Sequence, residues 1–171
     1  MEKGYIHVYT GNGKGKTTAA FGLALRAVYS GKKVYIGQFV KSMKYNETKI
    51  EKDLEGIKIE QFGRGCFLTE KPNDEDVKAA EEALLKCELI LKEGSYDLVI
   101  LDEATIALYF KLFTVEELIQ VVKERNPEVE VVITGRYAPE ELIEIADLVT
   151  EMKEIKHYYV KGVESREGIE R

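Results

Sequence analysis

Hydrophobic positions along this chain switch repeatedly between two periods. Short runs rich in β-branched and aromatic residues alternate with stretches whose apolar positions step by three and four. Tyr5–Thr10 (YIHVYT) reads as a first strand. Thr17–Ser30 follows as a helix that is apolar nearly all round, which predicts a buried element closed by Gly31 at its C′ position. Lys33–Val40 and Ile57–Phe62 read as the second and third strands. A long helix is expected over Asp74–Lys92, where Val77, Ala80, Leu84, Cys87 and Leu91 share one face. Leu98–Leu101 is a continuous apolar run, the signature of a strand buried on both sides. Thr114 and Glu117 have capping-box spacing and open a helix through Arg125 with Val115, Leu118, Val121 and Val122 facing inward. Val129–Thr134 reads as a strand, Pro139–Ala146 as a short helix and Leu148–Met152 as a last strand.

Strands alternating with helices predict an α/β fold, a mostly parallel sheet with helices on both faces. The 171 residues suit a single domain over 1–171, and no internal repeat, low-complexity segment or linker divides them. Charge narrows the partners. Lys and Arg number 25 against 31 Asp and Glu, a net −6, and the two signs are interleaved, which counts against a nucleic-acid partner. No apolar run approaches the ~20 residues of a membrane span, and Met1-Glu2-Lys3 leads straight into the first strand with no room for a signal peptide. Cys66 and Cys87 lack Cys-x-x-Cys spacing, which excludes a zinc ribbon and fits a reducing cytoplasm. Cys87 belongs to the helix stripe and is expected to be a small core side chain.

The chemistry concentrates at strand ends. Thr10-Gly11-Asn12-Gly13-Lys14-Gly15-Lys16-Thr17-Thr18 follows a strand and opens a helix, the context in which backbone N–H groups and a helix N-terminus cradle phosphates. Lys16, at what should be a solvent-facing helix start, would neutralise phosphate charge, and the Thr17 hydroxyl is placed to bind Mg²⁺. Thr10 replaces the first glycine of the usual pattern. Leu98–Leu101 runs into Asp102-Glu103, a pair of hard oxygen ligands suited to the same cation. Gln38 and Lys41 follow the second strand and Thr134-Gly135-Arg136 a later one. Ligands bind at the carboxyl ends of parallel strands, so four segments should converge there, with Arg136 as a phosphate or nucleotide contact. Arg26 sits in an apolar helix, where it either caps a buried acid or does not. His7 reads as a core histidine and His157 as a surface one. No Ser-His-Asp, Cys-His or metal-ligand cluster can be read from the spacing.

Over nearly the whole chain the segments TGNGKGKTTAAFGLALRA, GQFVKS, VILDEAT, VVITGRYAPEELIEIADLVTEM and IKHYYVKGVESREGIE resemble the phosphate-loop family of ATP:corrinoid adenosyltransferases. The resemblance implies a RecA-like fold and a homodimer. It also implies transfer of the 5′-deoxyadenosyl group of ATP to Co(I) of a reduced corrinoid, releasing triphosphate, with an electron-donor flavoprotein as a partner. Carried over residue by residue, the nucleotide site is Gly11, Asn12, Gly13, Lys14, Gly15, Lys16, Thr17 and Thr18 with Arg136. Mg²⁺ falls to Thr17, Asp102 and Glu103, and Lys16 and Glu103 are the catalytic pair. The family binds ATP reversed in the loop, which would turn C5′ toward the corrin. Because cobalt is the nucleophile, no Ser or Cys is required. Relatives often carry an N-terminal extension over the corrinoid and read G-F-T-W where this chain has Gly65-Cys66-Phe67-Leu68, and the tail here ends in Arg171 rather than an aromatic. Phe67 and Leu68 would lie against the lower corrin face. A phosphate-loop kinase or ATPase, in which Glu103 positions water or a hydroxyl acceptor, and a non-catalytic ATP- or corrinoid-binding module remain the alternatives.

Overall fold

The structure, a computed structural model, describes residues 3–41, 45–63 and 72–170. Six strands, β1 (Ile6–Thr10), β2 (Val34–Phe39), β3 (Ile57–Phe62), β4 (Leu98–Asp102), β5 (Glu130–Thr134) and β6 (Leu148–Glu151), form one sheet in the order β3-β2-β4-β5-β1-β6. Every pairing is parallel, so the expected α/β, RecA-like architecture is what the chain adopts. β5 lies between β1, which feeds the glycine loop, and β4, which ends in the acid pair.

Side-chain alternation along the strands divides the core into two layers. Val34, Ile36, Leu98, Ile100 and Val132 face α1 (Lys16–Tyr29), with Ile50 and Leu54 around α2 (Ile50–Asp53) packed at the margin. Tyr35, Phe39, Val99, Leu101, Val131 and Ile133 face the opposite way. That layer is closed by α3 (Asp74–Glu93), α4 (Ala104–Tyr109), α5 (Val115–Lys123) and α6 (Glu140–Ile145). Cys87 is fully buried in it, and burial pushes its thiol pKa up to about 12, which makes it inert as a nucleophile.

Two expectations need correction. α1 is not buried all round: Ala20, Phe21, Ala24 and Ala27 face the sheet, while Leu25, Arg26 and Tyr29 are exposed, so Arg26 caps no buried acid. α1 needs only one stripe to cover its part of this face, and small alanines let it sit close. α4 has no counterpart in the sequence reading, because its six residues directly after the Asp102-Glu103 pair are too few for a helical period to show. Its N-cap is Glu103, held at φ 61° and giving no side-chain cap bond. Cys66, Phe67 and Leu68 lie outside the described residues.

Caps mark the ends of the longer elements. Thr114 and Glu117 form the expected capping box at α5. At α3, the Asn73 side chain accepts from the backbone N–H groups of Glu75 and Asp76 at 3.0 Å, and the Asp76 carboxylate accepts from Asn73 N at 3.0 Å. Asn73→Ala should lower stability by about 1 kcal/mol, read as a lower urea midpoint at unchanged slope. An unshifted midpoint would mean that packing alone fixes the start of α3.

Candidate active site

The carboxyl ends of β1, β2, β4 and β5 do converge, on a cavity of about 780 Å³. Its floor is Gly13, Lys14, Gly15, Lys16, Thr17 and Thr18, and its walls include Lys41, Glu103 and Arg136. Gly11 and Asn12 stand outside the lining. Gly11, at φ 97°, is packed so closely on the Met152 carbonyl that a Cβ there would sit 2.5 Å from its oxygen. Gly13 is equally tight against the same carbonyl, at 2.6 Å, and donates its own N–H to it. These glycines let the segment after β6 press on the back of the loop.

Lys16 is 7% exposed, contrary to the expected solvent-facing position. Its ammonium turns back into the loop and donates to the carbonyls of Gly11 at 2.8 Å and Gly13 at 2.7 Å. Burial first, and then the Arg136 guanidinium, pull its pKa below the ordinary lysine value.

Asp102 organises the opposite wall. It is fully buried, and its Oδ1 accepts from the hydroxyls of Thr17 at 2.8 Å and Thr134 at 2.7 Å. Its Oδ2 accepts from Gln38 Nε2 at 2.9 Å and Lys41 Nζ at 3.1 Å. Gln38 Oε1 in turn accepts from Gln61. Burial works to lower the Lys41 pKa, but Asp102 and then Glu103 outweigh it and hold the ammonium above its usual range. Glu103 takes the left-handed conformation, and its N–H donates to Thr134 Oγ1 at 3.0 Å. Burial, followed by the Asp102 carboxylate, raises its pKa. Two carboxylates and a hydroxyl thus gather near the loop. This is a hard-oxygen set suited to a small divalent cation, with Asp102 reaching the ion on exchange of one of its four donors and phosphate and water supplying the remaining ligands.

Several contributors escaped the sequence reading. Thr105 Oγ1 donates to the Arg136 carbonyl at 2.6 Å and ties α4 to the β5 end. Val40, Glu103 and Tyr137 all line the cavity at positive φ, at the ends of β2, β4 and β5. A sequence carries no marker for a valine or tyrosine in that conformation. The segment after β6 is the third omission. Lys14 Nζ donates to Glu170 Oε1 at 2.9 Å and to Tyr158 OH at 3.2 Å. Tyr158 OH also donates to Glu170, and Arg166 pairs with the same carboxylate at 3.1 Å. Arg166, Tyr158 and Lys14 together hold Glu170 well below the usual carboxylate range. His157 lines the cavity instead of standing apart on the surface, and its Nδ1 accepts from Tyr159 N. His7 pairs with Glu130 at 2.6 Å inside the sheet margin.

Residues 2–171 match the profile of the family described as ATP:corrinoid adenosyltransferase BtuR/CobO/CobP. The corrinoid adenosyltransferase of Escherichia coli strain K12 is 37% identical over 169 residues, covering 99% of this chain and 86% of that protein. A corrinoid adenosyltransferase from Sinorhizobium sp. is 39% identical over 173 residues, covering 99% of this chain and 81% of the relative. Corrinoid adenosyltransferase CobA of Salmonella typhimurium is 34% identical over 169 residues, covering 99% and 86%.

The tail and the glycine loop are packed backbone to backbone, so neither can yield to a new side chain. Gly13→Ala should lower stability by about 1–3 kcal/mol and weaken binding of inorganic triphosphate, measured by thermal unfolding and calorimetric titration. Unchanged melting and titration would mean that the Met152 contact is not needed to shape the loop.

Proposed function

The chain belongs to the ATP:corrinoid adenosyltransferase family, and from that premise we propose how its residues perform the transfer. It is an enzyme that moves the adenosyl group of ATP to a corrinoid in cobalamin synthesis. Co(I), a two-electron nucleophile, attacks C5′ of the ribose. The cobalt–carbon bond forms as the C5′–oxygen bond breaks, and the electron pair leaves with triphosphate. The protein therefore has to bind a polyanion, orient C5′ and stabilise the leaving group, and it needs no nucleophile of its own.

The contact that carries this reading is Thr17 Oγ1 on Asp102 Oδ1, 2.8 Å, at the mouth of the glycine loop. It brings the helix start that would receive phosphates to the carboxylate that would hold their counter-ion. In the proposal the amides of Gly13 to Thr18 take the triphosphate, with Gly11 and Asn12 shaping the loop behind them. Lys16 shifts from the Gly11 and Gly13 carbonyls to phosphate oxygens. Arg136 adds a second cation across the cavity. Thr17, Asp102 and Glu103 would hold Mg²⁺, which when bound supplies positive charge to the departing triphosphate. Glu103, held by the Thr134 contact and raised by its neighbour, sets the position of that acidic wall.

Three further assignments complete the proposal. The enzyme works as a homodimer, supported by the open edge of the sheet: all four β6 residues are exposed, as are the large apolar side chains of Ile155, Tyr159 and Val160. It works in the cytoplasm, a reading supported by the free Cys87 thiol. Among the described residues, no helix is long and apolar enough to cross a membrane. Reaching Co(I) requires an external reductant, which we assign to a flavoprotein.

Anaerobic incubation with ATP, Mg²⁺ and a chemically reduced corrinoid should convert the cobalt spectrum and release triphosphate without ADP. Lys16→Ala should abolish conversion, and Glu103→Gln should slow it at least tenfold with still no ADP. Corrinoid-independent ADP release by the unmodified chain would replace this reading with an ATPase. Light scattering should give a dimer, and Val149→Lys combined with Val160→Lys should shift it to monomer. A monomeric unmodified chain at micromolar concentration would remove the dimer.

A further inference from the structure

The cavity has two kinds of aromatic wall. On the β2 side the lining includes Phe21, from α1, and Phe39, at the end of β2, both buried in the core. On the β4 and β5 side stand Tyr109, at the end of α4, and Tyr137, beyond Arg136, which are 58% and 52% exposed. Their rings stack with centroids 4.5 Å apart and planes 30° apart, and Phe110 meets Tyr109 edge-on at 5.4 Å. Tyr137 holds φ at +60°, a conformation unfavourable for a bulky side chain and characteristic of strained functional sites. Neither phenol is hydrogen-bonded to another described residue.

We propose that the stacked Tyr109–Tyr137 pair is the platform on which the corrin macrocycle rests, with the reacting nucleotide on the loop beside it. This rests on the reading that the chain acts on a corrinoid. Size decides between the two ligands that have a flat face. A nucleobase is small enough to be enclosed within the cavity of about 780 Å³. A corrin is several times wider and carries amide side chains around its rim, so it cannot enter and has to lie across the mouth. An exposed aromatic surface at the mouth matches its face, and the two phenol hydroxyls can donate to its peripheral amide carbonyls. The strain at Tyr137 is then the means by which the β5 end turns a ring outward, beside the arginine that faces the phosphates.

The test uses the full chain and two substitutions with little reason to unfold it. Tyr109→Ala removes an exposed ring, and Tyr137→Gly accepts the positive φ without strain. Corrinoid affinity is read from the visible spectrum of cob(II)inamide titrated into protein with ATP, and KM is measured for both substrates under chemical reductant. Each variant should raise the corrinoid Kd and KM roughly tenfold, about the loss of one buried aromatic contact. The KM for ATP should move less than about twofold, with thermal melting retained. Corrinoid affinity unchanged in the double variant overturns the platform alone. A rise confined to the KM for ATP overturns it too, by placing the nucleobase on the tyrosines. Absence of cob(II)inamide binding by the unmodified chain would overturn the parent reading and the platform together.

Discussion

A carboxylate taken wholly out of water has to be met on every lone pair it offers, and Asp102 is the place where this chain meets that demand. Its four donors come from three stretches of chain: Thr17 from the start of α1, Gln38 and Lys41 from the end of β2 and the turn beyond it, and Thr134 from β5. Each bond fixes where a segment ends relative to β4. The loop after β1 is thereby registered against a strand that is not its neighbour in the sheet, since β5 intervenes. Thr17 crosses that gap directly, and Thr134 ties the intervening β5 to the β4 end by donating to Asp102 while accepting from the backbone of Glu103. Removing one donor leaves the others intact but strands part of a buried charge. The network is therefore more sensitive to a missing partner than any single bond suggests.

Convergence at the strand ends also imposes a geometric constraint. Four parallel strands deliver their chains to one edge, and each must turn away without filling the cavity. After β1 the turn is made by glycines, after β2 and β4 by Val40 and Glu103 at positive φ, and after β5 by Gly135 and then Tyr137, both at positive φ. Strained positions of this kind persist where the surroundings over-determine them. Glu103 shows how: its N–H is bound to Thr134 and its carbonyl accepts from Ile106 and Ala107. The left-handed residue closes the first turn of α4 and keeps the acidic side chain beside Asp102. Thr105 then secures α4 to the carbonyl of Arg136, so the β4 and β5 ends hold each other in place.

Periodicity made the sheet legible. A parallel strand buried on both faces leaves an apolar run, as at Leu98–Leu101, and a one-sided helix leaves a stripe, as in α3. The same logic misjudged α1, because alanines and Leu25 count as apolar whether or not anything covers them. It also missed α4, which spans only six residues after the Asp102-Glu103 pair, too few for a stripe to declare itself. At the cavity, residue type and position relative to a strand end were enough to bring Thr17, Asp102, Glu103 and Arg136 to one edge. Burial was not legible: Lys16 sits inside its own loop, an arrangement that depends on carbonyl directions. The tail was quoted as a motif but had no visible partner, since its contact with Lys14 joins residues at opposite ends of the chain.

Taken together, the cations around the cavity show what kind of anion the site can admit. Lys16 is bound to two loop carbonyls, Lys41 to Asp102 and Lys14 to Glu170. None is a bare charge awaiting a counter-ion. An incoming ligand gains only the difference between its own contacts and those it displaces. A lone phosphate could engage one of these lysines and would have to break a charge-assisted bond to do so. In the proposed binding mode a triphosphate would meet the loop amides, Lys16 and Arg136 in a single binding event, and would exchange several partners at once. Under the proposed function, self-satisfaction of the lysines would act as a filter in favour of a long polyanion. It would let a chain with an excess of acidic residues select one without presenting a broad basic surface to nucleic acid.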